Sequence, residues 1–399
     1  MHVVDLVSKK NDSLLRDYFE VVRSHSLYNE FYKEIYSVDA APMLSKKELM
    51  SILKTKFKLH YQNTGVYLVR SGGSTQQPLV FPVDIQENQS QRIALAKELV
   101  KNDFFTSKTV ALNIFGYSDM YRTAAIMDDI LEKCNATTLS LSAHASYDDM
   151  LQATKYFNPN FILGTPSKLL CFAKFLEENN MQLQIKNLFY AGEFLRPSLQ
   201  KLLRKTLGYE QVYSMYGSAE TGIWAWSDVT KRPSLFSVIK GVVVEIIDPD
   251  ANGYGTIAVT NTFRKRFPVF RYAIGDLGRW IDIDGDSFLE LKSREMKSFI
   301  VGEQHYNLDQ IAFFTQQAEA FQLQLSYNEK VQEVIRLLIV QKVVEMDRPD
   351  FIKTTTEALQ HLFHYNEKFM KIEVLLVAID ELYIDPNTTK TLLLVDLRD

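Results

Sequence analysis

VALNIF (110–115), MYRTAAIMDDILEKC (120–134), TTLSLS (137–142), DDMLQATKYF (148–157), NFILG (160–164), TPSKLLCFAKFLEENN (165–180), IKNLFYAG (185–192) and RPSLQKLLRKTLG (196–208) follow one another along the chain. The short runs are apolar with little alternation, as strands buried on both faces are. The longer runs carry apolar residues at helical spacing. Strand and helix taking turns in this way predict βαβ units and a mostly parallel sheet covered by helices.

Toward the C-terminus the pattern changes. FSVIKGVVVEIID (236–248) and GTIAVTNT (255–262) are closely spaced strands parted by the turn cluster PDANGYG (249–255), which predicts an antiparallel β appendage. Beyond LELKSREMKSFIVG (289–302), the sequence suggests a helix and a strand around 307–341. A helix over PDFIKTTTEALQHLFHY (349–365) and a strand KIEVLLVAI (371–379) follow. The expected fold is therefore α/β. A large domain is expected over 1–292, and a small α+β domain over 293–399.

Composition narrows the partners. Forty-five basic residues stand against forty-nine acidic ones, a net charge of −4, so no general attraction draws the chain to nucleic acid or anionic lipid. The opening MHVVDLVSKKNDSLLRDYFE lacks a secretory pattern, and no apolar run is long enough to span a bilayer. With only Cys134 and Cys171, read as buried structural thiols, the expected location is a reducing cytoplasm. His361 and His364 lie three apart on the expected helix without a third ligand nearby, and read as a solvated pair.

Three segments carry chemistry. Arg70-Ser71-Gly72-Gly73-Ser74-Thr75-Gln76-Gln77-Pro78 packs glycines and hydroxyls into a turn, where backbone can approach a phosphate and hydroxyls can donate to it. A Ser/Gly-rich surface hairpin reads the same way. Tyr213-Ser214-Met215-Tyr216-Gly217-Ser218-Ala219-Glu220-Thr221-Gly222 offers a ring to stack on a purine and a carboxylate to hold a divalent cation, or else a glycine loop with a solvated Glu. In Phe270-Arg271-Tyr272-Ala273-Ile274-Gly275-Asp276-Leu277-Gly278 the Asp can accept both hydroxyls of a ribose, or can simply occupy a turn.

In this order, the segments resemble the adenylate-forming superfamily of acyl- and aryl-CoA ligases and peptide-synthetase adenylation domains. The resemblance extends through Ala191-Gly192-Glu193 and Ser293-Arg294 to Asp385-Pro386-Asn387-Thr388-Thr389-Lys390-Thr391 and Val395-Asp396-Leu397-Arg398, an ending similar to the phenylacetate-CoA ligase branch. It implies ATP and Mg2+ as cofactors. Ser71, Gly72, Gly73, Ser74 and Thr75 would cradle the phosphates. Gly192, Glu193, Tyr216, Gly217 and Ser218 would line the adenine side, and Asp276 and Arg294 would bind ribose. Glu220 would hold magnesium, and Lys390 would reach the substrate carboxylate and the α-phosphate. The chain departs from the family at Gln76 and Leu79 in the phosphate loop, at Ala219 before the metal Glu, and at Ser293 and Met296 near the hinge.

The resemblance also implies a small carboxylic acid substrate, expected to be an aryl acid. Phe115, Tyr117, Tyr190, Phe194, Trp224 and Trp226 are its candidate pocket, although the Trp224–Trp226 pair also reads as core. The acceptor is expected to be a phosphopantetheine thiol, on a carrier protein or on CoA. Two alternatives stand beside it: an acyl-protein synthetase of the luminescence type, which passes a fatty acyl group through its own cysteine, and a catalytically silent nucleotide-binding homologue.

Overall fold

In the computed structural model, the alternating run folds as strands with helices between them. The structure describes residues 9–57, 65–70, 79–117, 120–141, 143, 145–192, 195, 197–292, 298–302, 304–308, 310–311, 318–341, 348–378, 381–383 and 394–398. The chain divides into two units, a large one made of Met1–Ser71, Leu79–Leu195 and Gln200–Glu295, and a small one made mainly of Met296–Asp399.

The large unit opens with α1 (Lys9–Ser24) and α2 (Lys46–Lys56), then a hairpin of β1 (Val66–Arg70) and β2 (Val80–Asp84). Next come α3 (Ile85–Lys101), β3 (Val110–Asn113), α4 (Thr123–Lys133), β4 (Thr137–Ser140), α5 (Tyr147–Phe157) and β5 (Phe161–Gly164). They lead into α6 (Pro166–Glu178), β6 (Asn187–Ala191), α7 (Pro197–Leu207) and β7 (Gln211–Ser218). Closely spaced strands follow: β8 (Gly222–Asp228), β9 (Leu235–Val238), β10 (Val242–Ile247), β11 (Gly255–Asn261), β12 (Val269–Ile283) and β13 (Asp286–Lys292).

All but the first hairpin join one 11-stranded sheet in the order β10-β11-β12-β13-β9-β8-β7-β6-β5-β3-β4. β3 through β7 pair in parallel and the remaining strands are antiparallel. The antiparallel strands expected after residue 230 thus continue the parallel sheet edge to edge. β3 lies between β4 and β5, so the winding reverses there, and in such sheets ligands bind beyond the carboxyl ends of the strands near that reversal.

Helix starts follow capping chemistry. Ser45, Asp84, Ser146 and Thr165 each accept a backbone N–H at the start of α2, α3, α5 and α6, and Ser45 with Glu48 completes a reciprocal capping box. The main core joins Leu95 and Leu99 of α3 to Met127 and Ile130 of α4, Phe115 just after β3, the strand residues Phe189 and Met215, and Trp224. A second cluster packs α1, α2 and the first hairpin against Phe267, Phe270 and Tyr272. Cys134 lies in the main core, and burial pushes its thiol up to about 12. The Cys171 side chain lies outside the described ones.

The small unit contains the hairpin β14 (Ser298–Val301) and β15 (Gln304–Asn307). Its four-stranded sheet has the order β18-β17-β16-β19, from β16 (Ala318–Tyr327), β17 (Glu333–Gln341), β18 (Met370–Leu376) and β19 (Leu394–Asp396). One helix and one strand are expected over 307–341. The structure instead places two antiparallel strands at 318–341, preceded by helical Leu308, Gln310 and Ile311. The alternation in Phe321-Gln322-Leu323-Gln324-Leu325 explains the result, since buried Leu323 and Leu325 share one face. The helix Arg348–Leu362 packs beside β18. No described helix is long and apolar enough to cross a membrane.

Arg398 closes the small unit's network. Its guanidinium is 5% exposed, pairs with Asp396 at 2.6 Å, reaches the Ile300 carbonyl at 2.7 Å and pairs with Glu333. Removing one partner of a buried pair leaves its counter-charges stranded, at about 3–5 kcal/mol. Arg398→Ala should therefore destabilise the small unit by about 3 kcal/mol. Faster hydrogen exchange in β16 and β17 would report it. Denaturation of the large unit, which holds Trp224, Trp226 and Trp280, should be unchanged by indole fluorescence.

Candidate functional site

The carboxyl ends of the parallel strands bring several of the expected residues together. β7 ends in Tyr216-Gly217-Ser218, and the tight turn Ala219-Glu220-Thr221 returns the chain into β8. Gly217 is required there, since a Cβ on it would stand 2.1 Å from the Gly222 carbonyl oxygen. Gly222 has φ +68°, and a Cβ on it would meet Gln91 Oε1 at 2.8 Å and Arg264 Nη2 at 2.9 Å. Both positions leave room only for hydrogen.

Inside the turn, Thr221 is fully buried and its hydroxyl is a hub. Oγ1 accepts from Ser218 N at 3.1 Å and from Trp224 Nε1 at 3.0 Å, and it lies 2.9 Å from Ser218 Oγ. Ser218 Oγ in turn accepts from Thr221 N at 3.2 Å. Glu220 is thereby fixed at the tip. It is only 4% exposed, and no described residue gives its carboxylate a hydrogen bond or an ion pair. A carboxylate held without a protein donor suits a cation supplied from outside.

Asp276 reaches the same place from β12. Ala273 and Leu277 stay in register with Ala258 and Thr256 of β11, so residues 274–276 bulge opposite Ile257 alone. Bulges re-aim side chains, and Gly275 at φ +85° makes this one possible. The outcome is a hydrogen bond from the Tyr216 hydroxyl to Asp276 Oδ2. Gly192, at φ +86°, ends β6, and a Cβ there would lie 3.9 Å from the Tyr121 hydroxyl. Tyr190 is half-buried one strand over from Ser214, and burial raises its phenol above the ordinary value against a Ser214 hydrogen bond.

The other candidate pocket residues are placed differently. Phe115 and Trp224 are sealed in the main core, at 1% and 0% exposure. Trp224 is the extra residue where β8 bulges against the Tyr216–Gly217 step, and its ring meets Tyr216 edge-on at 5.2 Å. Trp226 packs partly buried beside Phe104. Tyr117 is 51% exposed after β3, with the Arg122 guanidinium 5.8 Å from its ring and 4.6 Å from that of Tyr67. Ser71, Gly72, Gly73, Ser74, Thr75, Glu193, Phe194, Arg294 and Lys390 lie outside the described residues.

The expected motifs omit the buried polar support beneath the hairpin. Asp84 at the N-cap of α3 and the α3 residues Glu87, Asn88 and Gln91 recur at helical spacing on the face turned toward the protein. Gln91 Nε2 donates to the carbonyls of Thr221 and Ile223, both at 3.0 Å. Asn261 Nδ2 donates to Thr221 O at 2.8 Å and Gln91 Oε1 at 3.0 Å, and Arg264 Nη2 donates to Asn88 Oδ1 at 2.9 Å. Asp84 pairs with Arg266 at 3.0 Å, and Glu87 accepts from Arg266 N at 2.9 Å. Burial raises the Glu87 carboxyl and lowers the Arg264 guanidinium relative to their ordinary values. The one available signal was the 84, 87, 88, 91 periodicity, which also fits a solvated face.

The comparisons with known proteins agree with this architecture. No protein-family model matches the chain. The chain is 27% identical over 143 residues to indoleacetate–lysine synthetase of Pseudomonas savastanoi, a match spanning 35% of this chain and 34% of that protein. Among solved structures, a 2-hydroxyisobutyryl-CoA ligase, in complex with 2-hydroxyisobutyryl-AMP and CoA, superposes with TM-score 0.72 at 14% identity, covering 97% of this chain and 89% of the ligase. An amide bond synthetase from Marinactinospora thermotolerans gives TM-score 0.53 at 16% identity, over 83% of this chain and 68% of that one. The o-succinylbenzoate CoA synthetase of Bacillus subtilis gives 0.52 at 16% identity, over 82% and 68%. The fold is that of the adenylate-forming ligases.

Thr221→Val keeps the volume but leaves Trp224 Nε1 and Ser218 N without their acceptor. It should cost the large unit about 1–3 kcal/mol. Urea denaturation followed by indole fluorescence measures this, and an unchanged midpoint would contradict the hub.

Proposed function

We propose that the chain activates a carboxylic acid with ATP, releasing pyrophosphate and forming an acyl-adenylate, then passes the acyl group to an acceptor. The observation that carries this reading is Glu220: a carboxylate on a residue only 4% exposed, without a donor among the described residues, at the turn of the hairpin whose Tyr216 holds Asp276. The fold shared with adenylate-forming ligases supports it.

In this reading one carboxylate oxygen of the acid attacks the α-phosphorus while the bond to the pyrophosphate oxygen breaks. No general base is needed, since the acid is already ionised at neutral pH. The barrier comes from bringing two anions together, so fixed positive charge is the main requirement. Magnesium bound at Glu220 would supply charge neutralisation at the phosphates. A single carboxylate suits that ion, which is usually held by one or two carboxylates together with substrate phosphates. Asp276 would accept from ribose hydroxyls while Tyr216 fixes its orientation. Gly192 leaves the end of β6 open to a flat base. The resemblance assigns Ser71, Gly72, Gly73, Ser74 and Thr75 to the phosphates, Arg294 to ribose and Lys390 to the developing charge.

For the acid we keep the aryl reading, with Tyr190 and Tyr117 as the ring contacts. Phe115 and Trp224 would then act from within the core. For the acceptor, a phosphopantetheine thiol of CoA or a carrier protein is supported by the extensive likeness to a CoA ligase. A second reading, an amine acceptor, is favoured by the sequence match to an acid–lysine synthetase. Transfer through Cys134 is disfavoured by that thiol's burial and raised pKa. A silent homologue would bind ATP without releasing pyrophosphate.

Acid-dependent ATP–pyrophosphate exchange across aryl and fatty acids tests the reaction. Exchange with an aryl acid is expected, and ATP binding without exchange for any acid would leave the silent homologue. Lys390→Ala should abolish exchange while sparing ATP binding, and Glu220→Gln should lower exchange at limiting magnesium by about 100-fold. Trapping product with CoA, a holo carrier protein or free lysine then identifies the acceptor.

A further inference from the structure

We infer that Gln91, Asn261, Asn88 and Arg264 are positioning residues that set how Glu220 meets its cation. The inference rests on the adenylation reading and extends it to side chains that touch no substrate. Two amide groups converge on one backbone oxygen, that of Thr221, the residue after Glu220. Gln91 Nε2 approaches it at 3.0 Å and Asn261 Nδ2 at 2.8 Å, and Asn261 also fixes Gln91 Oε1 at 3.0 Å. Gln91 further holds the Ile223 carbonyl at 3.0 Å, so one side chain spans both sides of Gly222.

Arg264 buttresses the same point. It is 1% exposed and stands where a Gly222 Cβ would come within 2.9 Å. Its Nη2 is taken by Asn88, while Nε and Nη1 have no partner among the described residues. A buried guanidinium left partly unpaired is a poor stabiliser, because desolvation costs more than one hydrogen bond returns. Its retention beneath the hairpin fits a role in orienting Glu220 and keeping positive charge behind a site meant for phosphates. Residues that hold a metal ligand in place typically govern metal affinity by 10–100-fold when replaced.

The test compares Gln91→Met, which keeps the side-chain volume and removes both donors, with Asp129→Asn. The latter breaks the Arg92 ion pair between α3 and α4 and the Lys133 pair within α4 without touching the hairpin. Affinity for Mn2+·ATP is read by electron paramagnetic resonance, and the Mg2+ concentration for half-maximal pyrophosphate exchange is read alongside. Gln91→Met should weaken Mn2+·ATP binding and raise the Mg2+ requirement by about 10-fold or more, with exchange recovering at saturating Mg2+. Asp129→Asn should alter neither. If Gln91→Met lowers only the thermal midpoint, the support is purely structural and the inference is overturned. Asn88→Ala, which removes only the Arg264 contact, supplies the same comparison should Gln91→Met fail to fold. A wild-type chain that binds no Mn2+·ATP would instead sink the adenylation reading itself.

Discussion

The carbonyl of Thr221 is where the large unit's sequence-distant parts meet. α3 supplies one amide to it, the end of β11 supplies another, and the β7–β8 hairpin supplies the oxygen. None of these groups reaches water, so each bond must be made within the protein or the hairpin carries the desolvation cost of its own backbone. That constraint fixes the hairpin's height above the sheet, and Glu220 rides on it. Gly217 and Gly222 follow from the same closeness, since no side chain fits between strands so tightly drawn.

A second constraint links β7 to β12. Tyr216 and Asp276 are sixty residues apart, on strands that are not neighbours in the sheet order. Their hydrogen bond depends on the residue 274–276 bulge, which breaks the β11–β12 register to aim the carboxylate. The phenol thus serves the protein through its hydroxyl and leaves its ring face for other contacts. Its edge-on packing against Trp224 explains why that indole belongs to the core.

The parallel half of the fold was legible because each strand is a short apolar run and each helix an amphipathic one, two periods that cannot be confused over that length. Residues 318–341 hold a period-2 signal in Phe321-Gln322-Leu323-Gln324-Leu325 that the expectation of a helix overlooked, and the pairing with β17 bears it out. Among the candidate site residues, Tyr216, Glu220 and Asp276 stood out in the sequence because glycines flank them. Trp224 was misleading: strict alternation puts it beside Trp226, but the bulge at the Tyr216–Gly217 step changes its environment. The buried polar face of α3 was invisible. Asp84, Glu87, Asn88 and Gln91 have the composition of a solvated helix, and only the turn at 261–266, some 170 residues away in the Gln91–Asn261 pair, makes them interior.

α3 combines these two kinds of burial end to end. Its C-terminal half buries Leu95 and Leu99 in the main core, about 1.5–3 kcal/mol each, which exceeds the net worth of any single hydrogen bond in its N-terminal half at about 0.5–1.5 kcal/mol. The apolar half therefore holds the helix against the sheet, whereas the polar half, poorer in net energy, is richer in direction. Hydrophobic contacts tolerate a slide or a small rotation of the helix; the hydrogen bonds from Gln91 and the one Asn88 accepts do not. A rotation that kept Leu95 and Leu99 buried would still pull Gln91 from the Thr221 and Ile223 carbonyls and leave its buried amide without those acceptors. The division of labour lets the same helix be stable through its apolar end and exact in its placement of the hairpin through its polar one.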